Sequence, residues 1–261
     1  SNAVVFCNSV LGARTNRYGD FLDIACAIAG RAPDYGLHRP ENRTARIVFD
    51  VSALPASFLG SEIAWPVLGS LYGREIGSAV GVVAGVAAHP GEDALKAFGA
   101  AAASSGAVGL FHVAGVTPEA PDLATALGGA EPEAVIRVTP QMAADAQARL
   151  STTERPDRID AVAIGSPHLS IAELDRLESL LAGRRLAVPL YACTGRHALA
   201  TFGEDRRAAL ERAGVTLVAD TCVVVTPILP DRTGGVLMTN SGKFAHYAPG
   251  NTGYAVLYGS L

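Results

Sequence analysis

The residues best equipped for chemistry fall between Asp220 and Tyr247, in DTCVVVTPILPDRTGGVLMTNSGKFAHY. Asp220, Thr221 and Cys222 interrupt an apolar, β-branched run from Thr216 to Val225 that reads as a buried strand. A carboxylate, a hydroxyl and a thiol buried in succession need partners, so their presence there marks a site. Further on, Thr239-Asn240-Ser241-Gly242-Lys243 sets side-chain oxygens, a glycine and a cation just ahead of Phe244-Ala245-His246-Tyr247. Such a stretch opens a helix whose first N–H groups and positive dipole end receive an anion, with Lys243 as the point charge. A soft thiol and an anion cradle in one stretch point to a small acidic ligand beside a metal. A buried cysteine and a capped surface helix would use the same residues, and both readings stand at this stage.

Positioning these groups falls to the elements around them. From Thr44 the pattern alternates: strand Ile47–Val51, helix Ser61–Ile76, strand (or tight glycine-rich helix) Val80–Val86, helix Glu92–Ala103, strand Val108–Val113. After the proline-rich linker near Val116–Pro121 come strand Ala134–Val138, a helix from Pro140, and strand Arg158–Gly165. The amphipathic helix Ser170–Leu181, strand Leu186–Ala192 and helix Asp205–Ala213 complete the series. Strands alternating with helices predict a parallel sheet covered on both faces. In such folds ligands meet the carboxyl ends of the strands. Ser166-Pro167-His168, Cys193-Thr194-Gly195-Arg196 and Thr226-Pro227 all occupy that position, behind strands 159–164, 187–192 and 222–225. His168 is either a general acid–base group or a cap on the following helix.

Residues 1–45 differ in character. Asn8, Ser9, Arg14, Thr15, Asn16 and Arg17 make a donor-rich loop, and the arginine fork suits a carboxylate or a phosphate. An interdomain loop with surface arginines is the plainer alternative. Asp20–Ala29 reads as a helix with Phe21, Leu22, Ile24 and Ile28 on one face. The organisation expected is a substrate-loop segment over 1–45, a first α/β lobe over 46–130, and a second over 131–261 holding the metal and anion site.

Bulk properties narrow the function. The chain has 261 residues, of which 49% are hydrophobic and 18% charged, enough to bury a real core. A net charge of −4 spread over both signs excludes nucleic acid as the main partner, and no run is long and apolar enough for a membrane span. Cys7, Cys26, Cys193 and Cys222 lie far apart with no CxxC pair, which points to a reduced, cytoplasmic setting and to isolated thiols or long-range metal ligands. GxSxG, GxGxxG, GxxxxGK[ST] and HExxH are absent in usable context. Thiol ligands, Arg and Lys anion binders, and Ser, His and Tyr proton carriers remain, the kit for metal-assisted lyase chemistry on a carboxylate.

Six stretches in order, NSVLGARTNRYGDF (Asn8–Phe21), Tyr35-Gly36-Leu37-His38, GSPHLS (Gly165–Ser170), YACTGR (Tyr191–Arg196), DTCVVVTP (Asp220–Pro227) and TNSGKFAHYAPG (Thr239–Gly250), resemble the large-domain sequence of aconitase X. That is a divergent branch of the aconitase superfamily, and the resemblance runs over essentially the whole chain. It implies an α/β fold of aconitase-like three-layer lobes, with mainly parallel sheets flanked by helices. It also implies a hydro-lyase. Bacterial members dehydrate cis-3-hydroxy-L-proline to a pyrroline-2-carboxylate, and archaeal members dehydrate mevalonate 5-phosphate. An iron or iron–sulfur centre held by cysteines and a small swivelling domain or subunit complete such enzymes.

By position, the resemblance makes Cys222 a metal ligand. It implies a thiol where this chain has Ser166, and Cys193 at the neighbouring strand end is the replacement. A further ligand is implied upstream of residue 1, the chain reading as the C-terminal two thirds of a large domain cut at both ends. Ser1-Asn2-Ala3 is either native or a cloning remnant. Arg14, Asn16, Arg17 and Lys243 would hold the substrate carboxylate, with Asn8, Ser9, Thr15 and Ser241 as further donors. His168, Lys243 and His246 are the local catalytic candidates, although in aconitase relatives a serine of the swivel domain is the base. The high Ala, Arg and Gly content favours the bacterial substrate. The rival reading is an inert binding lobe or subunit of such an enzyme.

Overall fold

Apolar strands and one-faced helices bury both kinds of surface when the helices cover a sheet. The computed structural model describes residues 2–154, 156–231 and 234–261, without the Asp20 side chain. The chain forms two compact units, one reaching Ala144 and one spanning Asp145–Leu261.

The first unit carries helices α1 (Asn2–Ser9) and α2 (Asp20–Ala29), strand β1 (Ile47–Asp50), helices α3 (Ala56–Leu59) and α4 (Ala64–Ile76), strand β2 (Gly81–Ala84), helix α5 (Glu92–Ser105), strand β3 (Phe111–Val113), helix α6 (Leu123–Ala126) and strand β4 (Ala134–Arg137), followed by helix α7 (Pro140–Ala148). Among the described residues its sheet has four parallel strands in the order β3-β2-β1-β4. Strand β4, expected in the second lobe, therefore belongs to the first sheet. Helices α4 and α5 pack closely because Gly69 faces α5, where a Cβ would stand 2.3 Å from the Phe98 carbonyl oxygen. That approach lets Phe98 meet Tyr72 and Phe111 edge to face, with centroids 5.1 and 4.8 Å apart.

The expected substrate loop over 1–45 is partly helical. Asn8 and Ser9 end α1 and are buried. The Asn8 amide donates to the carbonyls of Thr15 and Gly109, each at 3.0 Å, and its oxygen accepts the Thr15 N–H at 3.0 Å. Ser9 Oγ accepts the Phe111 N–H at 2.9 Å. These groups stitch α1 and the following loop to β3, which is why so many polar residues are needed there. Helix α2 forms as its periodicity predicts, yet Phe21 and Ile28 are each 84% exposed.

The second unit holds β5 (Ala161–Leu169), α8 (Ile171–Leu181), β6 (Leu190–Thr194), α9 (Arg196–Phe202), α10 (Glu204–Ala213), β7 (Val215–Ala219), β8 (Val236–Thr239), α11 (Gly242–Thr252) and β9 (Ala255–Tyr258). Among the described residues these strands form one parallel sheet in the order β7-β6-β5-β8-β9. Leu174, Leu177 and Leu181 of α8 join Phe202, Leu210 and Ala213 against Val162, Ile164, Leu190 and Val215. Ser170 starts α8 with a full capping box, accepting the Glu173 N–H at 3.1 Å while the Glu173 carboxylate accepts the Ser170 N–H at 2.9 Å. The direction of progress through the sheet reverses at β5. With right-handed crossovers, α8–α10 then lie on one face and α11 on the other.

The expected strand over Cys222–Val225 is a correction. The strand is β7, and it stops at Ala219. Asp220 turns the chain in the left-handed region at φ 57°, and Cys222–Thr226 close into turns in which the Val225 and Thr226 N–H groups donate to the Cys222 carbonyl. Ser166-Pro167-His168 likewise lie inside the irregular end of β5, where the register with β6 shifts between Ile164 and Leu169.

Candidate active site

Four adjacent strands of the second sheet end at one edge, and each delivers a polar group. In an open parallel sheet the place where strand order reverses leaves room for a ligand; here that place lies between β5 and β8. Ser166 comes from β5, and Ser241-Gly242-Lys243 follow β8 into α11. The Ser241 hydroxyl donates to the Ser166 carbonyl across this switch point and accepts the Phe244 N–H at 3.1 Å as the helix N-cap. Its donor capacity is spent within the fold, so a ligand would meet the first N–H groups of α11 and Lys243 rather than the Ser241 hydroxyl.

On the other side of β5, Thr194 ties three strand ends together. Its hydroxyl donates to the Leu169 carbonyl at 2.7 Å, and its own carbonyl accepts the Asp220 N–H at 2.9 Å. Asp220 then accepts the Arg196 backbone N–H at 2.9 Å through Oδ1 and Arg196 Nε through Oδ2. These bonds hold its carboxyl below the usual carboxylate range, helped by nearby His168. His168 Nε2–H donates to the Thr221 carbonyl at 3.1 Å, so a neutral His168 carries its lone pair on Nδ1. The Thr221 and Thr226 hydroxyls pair at 2.6 Å below the turn.

Cys222 lies within electrostatic reach of both Cys193 and Lys243 at this edge. Burial pushes the Cys193 thiol up to about 11, opposed by the Val223 backbone N–H that it accepts and reinforced by neighbouring Cys222. Burial lowers the Lys243 pKa, and Cys222 acts in the opposite sense. His246 lies three positions beyond Lys243 on α11, exposed, with its ring against Tyr247 at 4.7 Å between centroids. Thus Ser166, His168, Cys193, Cys222, Ser241 and Lys243 share one edge of one sheet.

The remaining sequence candidates sit in the first unit. Asn8 and Ser9 are consumed by backbone, as described above. Thr15 Oγ1 donates to Asp23 at 3.2 Å, Asn16 Oδ1 accepts the Arg17 N–H at 3.0 Å, and Arg17 donates to the carbonyls of Gly106 and Val108. Arg14 is exposed and within electrostatic reach of Glu119. A tether joining a loop to β3 and the residues just ahead of it accounts for the hydrogen bonds of Asn8, Ser9 and Arg17, while the Thr15 hydroxyl is bound to α2. Sequence reasoning gave no role to the Arg196–Asp220 pair, although a CTGR turn directly behind a strand was the available signal.

The donors suit an iron centre in part. Two soft sulfurs stand at neighbouring strand ends, and Cys193 accepts a backbone N–H, as the sulfurs of such centres do. Among the described residues no group of three His, Cys, Asp or Glu side chains gathers to hold a metal ion. Cys193 and Cys222 therefore supply part of a ligand set.

The edge depends on close approach of β5 to β6. Gly165 has φ +89°, and a Cβ there would stand 2.0 Å from the Cys193 carbonyl oxygen. Gly165→Ala must strain the backbone and push β6 away, at a cost of about 3 kcal/mol or more. A fall in the urea midpoint at unchanged slope checks it; an unchanged midpoint would show that the strands separate freely.

The chain matches the family descriptions Aconitase X first domain over residues 1–41, Aconitase X second domain over 45–148 and Aconitase X third domain over 159–261. It is 44% identical to the cis-3-hydroxy-L-proline dehydratase of Pseudomonas aeruginosa over 267 residues, taking in 100% of this chain and 45% of that protein. Identity to the phosphomevalonate dehydratase large subunit of Methanothermobacter thermautotrophicus is 40% over 261 residues, 99% of this chain and 62% of that subunit. The crystal structure of Thermococcus kodakaraensis aconitase X (holo-form) aligns with TM-score 0.87 at 32% identity, covering 100% of this chain and 64% of that one. The chain spans under half the length of the Pseudomonas dehydratase and less than two thirds of the large subunit.

Proposed function

From the premise that this chain belongs to the aconitase X family, we propose that the whole protein is a hydro-lyase acting on a small hydroxy-carboxylate, with cis-3-hydroxy-L-proline as substrate. One observation carries the reading: at the edge of the second sheet, beside its switch point, Cys222 lies within electrostatic reach of both Cys193 and Lys243. Two dehydratases of that imino acid are 44% and 42% identical to the chain, which favours it over mevalonate 5-phosphate. Four free thiols agree with a cytoplasmic setting. No helix among the described residues is long and apolar enough to cross a membrane.

Dehydration removes a proton from the carbon α to the carboxylate and a hydroxyl from its neighbour, the C–H electrons becoming the new double bond. Cys222 and Cys193 would hold an iron or iron–sulfur centre, which when bound supplies Lewis acidity toward the leaving hydroxyl. Lys243 and the first N–H groups of α11 hold the carboxylate and fix its orientation. His168 through Nδ1, or His246 one helical step from Lys243, offers a proton acceptor. A small domain or subunit would cover this edge and exclude water; the archaeal relatives are large subunits, which implies a small partner for those enzymes.

The test is the complete polypeptide with its small domain, purified without oxygen and assayed on both substrates. Water loss from cis-3-hydroxy-L-proline is the expected result. Turnover of mevalonate 5-phosphate instead would reassign the substrate. Neither turnover nor iron with charge-transfer bands would make the chain an inert binding lobe.

Lys243→Met keeps the stem and removes the charge. In the complete enzyme kcat/KM should fall about ten- to hundredfold, equivalent to roughly 1.5–3 kcal/mol for a lost charge-assisted hydrogen bond. The melting temperature should hold or rise slightly, since a half-buried ammonium is costly to desolvate. Unchanged kinetics would remove Lys243 from the site.

A further inference from the structure

We infer that Arg196, braced by Asp220, is the bidentate anchor for the substrate carboxylate at this edge. The inference rests on the hydro-lyase reading and deepens it, because it names a group that reads the acid. Arg196 opens α9 directly behind β6, two residues past the Thr194 tie. Asp220 spends both carboxylate oxygens on it, one on its backbone N–H and one on Nε. The guanidinium is thereby gripped from its stem side. Its two terminal nitrogens, the pair whose spacing matches a carboxylate, make no hydrogen bond among the described residues, and the side chain is 84% exposed.

An ordinary surface ion pair would not be built this way. Asp220 adopts the left-handed backbone conformation at φ 57°, which turns its side chain to the edge rather than continuing β7. The turn that follows carries Cys222 into reach of Lys243. His168 stands within electrostatic reach of the Asp220 carboxylate that braces Arg196, and Lys243 lies across the edge beside Cys222. The two terminal N–H groups of the planar fork suit a carboxylate presented edge-on. Lys243, a compact point charge across the switch point, then serves one oxygen or the charge that develops at the adjacent carbon. Asp220 is a positioning residue in this scheme: it fixes the fork and touches no substrate atom.

The complete enzyme tests this with two ligands besides the substrate. L-proline carries the carboxylate but no leaving hydroxyl, and L-prolinamide replaces the carboxylate by a neutral amide. Arg196→Lys and Arg196→Gln should raise KM for cis-3-hydroxy-L-proline about ten- to hundredfold while kcat changes about threefold or less. The preference for L-proline over L-prolinamide in competitive inhibition should shrink by a similar factor. Asp220→Asn should raise KM less and leave the preference partly intact, because the amide oxygen can still accept from Arg196. Iron content and melting temperature should match the wild type in all three variants. Unchanged KM and unchanged preference in both Arg196 variants would overturn the assignment while leaving the hydro-lyase reading in place. A wild type that neither turns over the imino acid nor binds L-proline would sink both.

Discussion

Cys222→Ser in the complete enzyme should lose its iron and its activity together. The side chain stands in the turn after β7, half-buried and in reach of both Cys193 and Lys243. A neutral hydroxyl is a poor ligand for a soft metal. Lewis-acid assistance to a leaving hydroxyl is worth several kcal/mol, and each 1.36 kcal/mol is tenfold in rate, so the loss should be about three powers of ten. The polypeptide should still fold, because Cys222 contributes no core packing; metal-free wild type and variant should melt together. Cys7→Ser and Cys26→Ser, in the first unit, should keep their iron. Iron at wild-type stoichiometry in Cys222→Ser, measured beside the rate, would remove the ligand and the metal role of the edge with it. Cys193→Ser is a less clean probe, since that thiol is fully buried and its loss would also strain β6.

What could be read beforehand follows from which forces act locally. Helix α8 was legible because Leu174, Leu177 and Leu181 repeat at helical spacing and Ser170 with Glu173 forms its capping box. The start of α11 behind Ser241 was legible for the same reason, as N-cap chemistry is confined to a few successive residues. The end of β7 was not. Thr216–Val225 is one apolar stretch with a polar break, and a buried parallel strand shows no alternation to locate its end. The end is set by pairing with β6, which stops at Thr194, so Asp220 turns away and Cys222 leaves the sheet. The first 45 residues are ambiguous for a related reason. Donor groups that bind a ligand and donor groups that satisfy backbone carbonyls are the same residue types, and only burial tells Asn8 and Ser9 from Arg14. Arg43 carries no sequence signal of its own: nothing in ENRTAR separates it from the chain's other arginines.

Arg43 nevertheless holds the polar centre of the first unit, and Arg43→Met should be the most destabilising change there. Its side chain is 2% exposed. Nε donates to both Glu119 oxygens at 3.0 and 2.8 Å, Nη1 to Asn8 Oδ1 and the Leu37 carbonyl, and Nη2 to the carbonyls of Asn8 and Ala13. Methionine keeps the length and removes every one of these donors, leaving three carbonyls without this donor and a half-buried carboxylate without its counter-ion. Breaking a buried pair from one side costs about 3–5 kcal/mol, and for a chain of this size the melting temperature should drop by about 10 °C. The pH dependence gives a second check. Burial alone would raise the Glu119 pKa, but Arg43 outweighs it and holds the carboxyl below its ordinary value. A depressed carboxylate stabilises the fold above the unfolded value of about 4.3, and that contribution is lost as pH falls through the folded value. The stability gap between wild type and Arg43→Met should therefore be full near neutrality and narrow below about pH 4. A gap that stays constant into acid would mean that the ion pair contributes nothing and that Arg43 acts through its hydrogen bonds to the three carbonyls and Asn8 alone.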